Sequence, residues 1–127
     1  MTKSTTISIS QAFDTINFLA DRTPEASGND DGFCTLADYR DGGIFLAHYA
    51  GTSEWERHTS GDEMVMVMEG ETTLILLQNG EEIASFMPQG TLLVVPQNIW
   101  HRFESPKGVK VMTITPQPTD HSVERPE

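Results

Sequence analysis

Turn-forming residues break the chain from Phe33 onward into short runs, and this punctuation constrains the fold more than any other feature. Arg40-Asp41-Gly42-Gly43, Thr59-Ser60-Gly61-Asp62 and Asn79-Gly80 each separate segments rich in β-branched, aromatic or aliphatic residues. Glycine and asparagine accept backbone angles that other residues avoid, and serine and aspartate hydrogen-bond to their own backbone, so such clusters reverse an extended chain. Between the breaks lie "FCTLADY", "IFLAHYA", "EWERHT", "EMVMVME", "TTLILLQNGEEIASF", "TLLVVP", "WHRFES" and "VKVMTIT". Asn79-Gly80 is the strongest short hairpin signal. Many short strands with almost no helix predict an all-β sandwich or closed barrel.

The 127 residues are enough for one domain with its own core. We divide them into a segment over 1–31, a β-barrel over 32–115 and a polar tail over 116–127. In the first segment Phe13, Ile16, Leu19 and Ala20 fall at helical spacing, with Ser10 placed to cap and Pro24 beyond. One short N-terminal helix is expected there, and "EASGNDDG" is expected to be a loop. The tail, "PQPTDHSVERPE", is expected to be mobile.

Charge narrows the partners. Nineteen acidic against eight basic residues leave a formal net charge of −11, which repels phosphate backbones, so no nucleic-acid partner is expected. No stretch approaches the roughly 20 apolar residues of a membrane span. "MTKSTTISIS" lacks the apolar centre of a signal peptide, so cytoplasmic residence is the expectation. A single cysteine, Cys34, excludes an internal disulfide.

The stretch "EWERHTSGDEMVMVMEG" carries the chemistry. Residues two apart on a strand share a face, so Glu56 and His58 point one way while Trp55 and Arg57 point to the outer face. "TSGD" reverses the chain and Glu63 opens the next strand beside its neighbour. Farther on, Pro96 ends a strand, Asn98 suits a tight left-handed turn, and His101 lies on the returning strand. Pairing of the two hairpins brings His101 to Glu56, His58 and Glu63.

At these positions the chain resembles the cupin superfamily. Glu56-x-His58-x4-Glu63-x6-Gly70 overlays that family's first motif, and Gly90-x5-Pro96-x-Asn98-x2-His101 overlays the second. The resemblance spans roughly residues 43–115. It implies a small single-domain cupin, a double-stranded β-helix or jelly-roll barrel, with the site at the barrel mouth. Several positions depart from the pattern. Glu56 stands where the first histidine is usual, Asn98 replaces a glycine, Ser105 replaces the last asparagine, and Gly51 lies one residue too close. Only Glu56 touches the ligand set.

His58, Glu63 and His101 supply two imidazoles and one carboxylate, the ligand types of a facial triad that leaves positions open for substrate or dioxygen. Glu56 is either a fourth metal ligand or a catalytic general base beside the metal. Two carboxylates tilt the site towards Mn or Fe, and Zn and Ni also fit. The expected function is a divalent-metal cupin acting on a small-molecule substrate by dioxygenase, isomerase or lyase chemistry. The alternative is a non-catalytic module binding a small molecule or metal.

Other residues fill in the picture. His48 shares a face with Ile44 and Leu46 and is expected to border the pocket, with Tyr49 facing away. Phe103 shares the face of His101 and is expected to wall the pocket. Trp100 is expected to pack away from it, and His121 to lie in solvent. Met64, Met66 and Met68 alternate with Val65 and Val67, so both faces of that strand are apolar. The N-terminal helix, a second sheet or another subunit must cover the second face, and a homodimer is expected.

Overall fold

The computed structural model describes residues 4–26 and 30–126. It holds one short helix, α1 (Ile9–Phe13), and nine strands. These are β1 (Leu19–Arg22), β2 (Phe33–Tyr39), β3 (Gly42–Thr52), β4 (Trp55–His58), β5 (Glu63–Gln78), β6 (Glu81–Pro88), β7 (Leu92–Val95), β8 (Trp100–Pro116) and β9 (Thr119–Ser122). The all-β, jelly-roll expectation is met.

All nine strands join one curled sheet in which β5 and β8 form the spine. The first half of β5 pairs with β7 and with the second half of β8. Its second half pairs with β6 and with the first half of β8. On its other edge β8 pairs with β3 and β4. Each spine strand thus contributes to both ends of the barrel.

The sequence breaks these spine strands where the structure does not. The turn punctuation separates "EMVMVME" from "TTLILLQ", with Gly70 between them, and "WHRFES" from "VKVMTIT". Gly70 (φ 78°) and Gly108 (φ 96°) bend β5 and β8 without ending them. A Cβ on Gly70 would collide with the Gly108 carbonyl oxygen, so the two bends nest at a contact only glycine permits.

The turn chemistry otherwise acts as expected. Asn79 and Gly80 both take positive φ and close the β5–β6 hairpin, and Asn98 takes φ 69° ahead of β8.

Two terminal expectations are corrected. The helix is shorter than the apolar spacing implied and is capped by Ser8, whose Oγ accepts from the Gln11 backbone, rather than by Ser10. Leu19 and Ala20 belong instead to β1, which runs parallel to β3, with Leu19 opposite Tyr49 and Arg22 opposite Gly51. The open edge of β3 offers backbone partners that a helix could not use, and tertiary pairing overrides local spacing. The loop expected over residues 25–32 carries 3-10 turns at Pro24–Ala26 and Asp30–Gly32, with residues 27–29 outside the described set.

The tail expected to be mobile instead forms β9, antiparallel to β4. Arg57 and Asp120 lock the two strands through two hydrogen bonds, at 3.1 and 2.8 Å.

The main core lies inside the barrel, where Ala47, Tyr49, Val65, Val67, Leu74, Met87, Phe103, Val109 and Val111 are buried together. Trp55 is on the outer face but buried, in a smaller cluster with Ile75, Leu77 and Trp100. α1 covers part of the outer face, where Phe13 and Met68 line one groove and Lys110 lies over the Phe13 ring.

Candidate metal centre

Three strands deliver the three convergent side chains. His58 ends β4, Glu63 opens β5 after the Thr59–Asp62 turn, and His101 sits near the start of β8, opposite Glu56 in register. Asp62 Oδ1 accepts from the Gln97 backbone, and the Asn98 backbone donates to the His58 carbonyl, so the two turns brace one another.

The side chains meet deep in the barrel. His58 is 4% exposed, Glu63 5% and His101 1%. Nε2 of His101 lies 3.0 Å from Glu63 Oε1, and Nε2 of His58 lies 3.4 Å from the same oxygen. One ligand atom from each residue falls within 4.8 Å of the others. Yet Nε2 of both rings and Glu63 Oε1 are buried without a properly directed hydrogen bond. Buried polar atoms left this way are costly, and a shared cation relieves all three together.

The far sides of the ligands are braced. His101 Nδ1 lies 3.0 Å from the Ile99 carbonyl, which can only accept, so the proton sits on Nδ1 and the lone pair on Nε2. Thr119 Oγ1 donates to Gln117 Oε1 and lies 3.0 Å from His58 Nδ1, placed to accept that proton. Thr115 Oγ1 donates to Glu63 Oε2 at 2.6 Å. Each inward-facing atom is therefore a free electron pair, as metal ligation requires.

Electrostatics agree. Burial pushes the Glu63 carboxyl up, but the His101 and His58 rings outweigh it and hold it down at about 2. Burial draws His101 down, but the facing Glu63 carboxylate outweighs it and raises the ring above its ordinary value. Burial, then the Glu63 charge, pushes Glu56 upward.

Glu56, His58 and Glu63 line one cavity of about 500 Å³, together with Phe103. Phe103 meets the His101 ring edge-on, with centroids 6.2 Å apart. Glu56 is not part of the convergent triad.

His48 is not among the cavity-lining residues. It pairs with Lys110 across the strands and packs on Phe18, while Tyr49 lines the cavity instead. The run "IFLAHYA" is apolar on both faces, so its alternation does not fix which face is inward, and a one-residue choice inverts it. His121 is exposed and pairs with Glu54.

Sequence reasoning missed Arg22, Tyr49, Gln117 and Thr119 as cavity residues. Thr115 and Thr119 follow the ligands only through strand pairing, so no local spacing marks them.

Comparison with known proteins places this fold. The cupin domain profile matches residues 45–115. No curated protein matches the chain by sequence. Among solved structures, a cupin-2 domain containing protein from Shewanella frigidimarina is 22% identical over 87% of this chain and 94% of its own, with a TM-score of 0.65. Hydroquinone 1,2-dioxygenase PnpCD, crystallised with Cd2+ and 4-hydroxybenzonitrile, is 16% identical over 66% of this chain and 63% of its own, with a TM-score of 0.58. Fe(II)-HppE, crystallised with the alternative substrate (S)-1-HPP, is 16% identical over 69% of this chain and 51% of its own, with a TM-score of 0.55.

Proposed function

The chain belongs to the cupin domain family, and we propose that it holds one divalent transition metal on His58, Glu63 and His101 and acts through it on a small molecule. The observation that carries this reading is the set of three buried ligand atoms, lacking hydrogen bonds, aimed at one point and braced from behind. Two imidazoles and one carboxylate suit Fe or Mn, and Zn or Ni also fits the donor set. When bound, such an ion supplies Lewis acidity and, if iron, a route to dioxygen chemistry. Two neighbours in fold were crystallised in complex with Cd2+ or as the Fe(II) form, which supports the metal reading without fixing the metal.

The chain's own residues do the rest. Glu56 lines the cavity beside the triad, and its carboxyl, raised by burial and by the Glu63 charge, is placed to take and return a proton. Phe103 and Val111 line the cavity with apolar surface, which limits water at the reacting group. We favour an enzyme over a non-catalytic binding module because this carboxyl lies in the cavity but outside the ligand triad. Cytoplasmic residence and a homodimer belong to the same reading.

Elemental analysis of protein purified without chelator tests it. Wild type and His121→Ala should carry close to one equivalent of metal, and His101→Ala much less. Glu56→Gln should keep the metal and lose about 100-fold or more in turnover once a substrate is found. Equal metal loss in His101→Ala and His121→Ala would refute the ligand assignment.

A further inference from the structure

We propose that Thr113 Oγ1 is a hydrogen-bond acceptor for the substrate, and that the cavity selects a small, largely apolar molecule presenting a neutral hydroxyl beside the metal ligands. This rests on the metal reading above, which sets the charge next to that hydroxyl.

Strand β8 turns one face inward through Val109, Val111, Thr113 and Thr115. The first two belong to the core, and the last three line the cavity. Valine and threonine share a shape, so the hydroxyls at 113 and 115 add polarity rather than volume. A hydroxyl on an apolar wall costs stability unless it is used. Thr115 uses its own to brace Glu63.

The directions of the protons then follow. Thr115 Oγ1 carries one proton, and Glu63 Oε2, 2.6 Å away, takes it because a carboxylate only accepts. Thr113 Oγ1 lies 2.8 Å from Thr115 Oγ1, so the proton between the two hydroxyls comes from Thr113. With that proton committed, Thr113 meets anything else in the cavity through its lone pairs alone. It is an acceptor there and calls for a donor.

The surroundings narrow the class of donor. Thr113 stands two hydrogen bonds from Glu63 Oε2, so a group held on it lies beside the metal ligands. The charge of a divalent ion repels an ammonium at that range, and a hydroxyl carries no such penalty. Phe45 lies opposite Thr113 on β3, and it lines the cavity with Ala47, Phe103 and Val111, an apolar bed for the rest of the molecule.

Calorimetry on the metal-loaded full chain tests this with benzyl alcohol and 2-phenylethanol against their methyl ethers, alongside elemental analysis of every sample. The ether keeps the oxygen and loses only the donor. Wild type should bind at least one alcohol about fivefold or more tighter than its ether. Thr113→Val should lose that preference while keeping its metal and its ether affinity, and Thr113→Ser should restore it. Should Thr113→Val fail to fold, Thr113→Ala reads the same loss. A preference that survives loss of the Thr113 hydroxyl would put the alcohol on the metal or on Glu56 and overturn the inference. So would failure of both alcohols to bind at about 10 mM, whatever the metal content. Loss of metal together with the preference would make Thr113 a support for Glu63 alone, and would overturn it too. Low metal content in wild type with a Thr113-dependent preference would sink the metal reading and support this one.

Discussion

Glu63 and His101 each hold the other's charge, and the sign of their shifts sets how metal-free protein responds to pH. The Glu63 carboxyl sits at about 2 rather than its ordinary 4.5, so its stabilising share is complete above pH 4.5 and fades as pH falls towards 2. His101 is raised from 6.5, so its share is complete below pH 6.5 and is lost as pH climbs through the elevated value. Glu56, raised from 4.5, also erodes stability as pH rises past that point. The urea midpoint of metal-free protein should therefore peak between pH 4.5 and 6.5 and fall on both sides. Added divalent metal should remove the alkaline decline, because the cation takes the place of the His101 proton. A metal-free midpoint that keeps rising from about pH 6 to 8 would contradict this pairing.

Strand β9 turns the tail into part of the site. Thr119 stands behind His58 and Gln117 behind Thr119, so the far C-terminal strand orients a ligand on β4. Thr119→Val should weaken metal affinity by about 10- to 100-fold in chelator competition, with little change in the unfolding midpoint, and Thr119→Ser should restore it. A valine variant that holds metal like wild type would remove β9 from the site. The same element marks where sequence legibility stops. His58, Glu63, His101 and the Asn98 turn were readable because alternation along a strand and reversal at a turn are local properties. Arg22 and Thr119 reach the cavity wall through pairings β1–β3 and β4–β9, whose partners lie far away in sequence. Leu19 and Ala20 fit a helical stripe as well as a strand, and only the open edge of β3 decided between them. The spine strands looked broken because glycine is the signal for both a turn and a bend, and the Gly70–Gly108 contact exists only in three dimensions.

Across the whole molecule, one outer face remains apolar. Met64 lies opposite Val94 and Ile114, and Met66 opposite Leu92 and Met112, so these side chains share that face. Leu92 is 58% exposed and Val94 49%, while α1 reaches only the Met68 end. We propose that a second copy covers this face. Light scattering at micromolar concentration should give the mass of a dimer, and Val94→Glu should give a monomer that keeps its metal; a wild-type monomer would contradict the pairing. The barrel itself serves one end, the meeting of two hairpins around a common ion. Anomalous diffraction from metal-soaked crystals tests that most directly. The account predicts one peak about 2.0–2.3 Å from His58 Nε2, His101 Nε2 and a Glu63 oxygen. A peak elsewhere, such as at His121 and Glu54, or no peak between the two buried imidazoles, would contradict it.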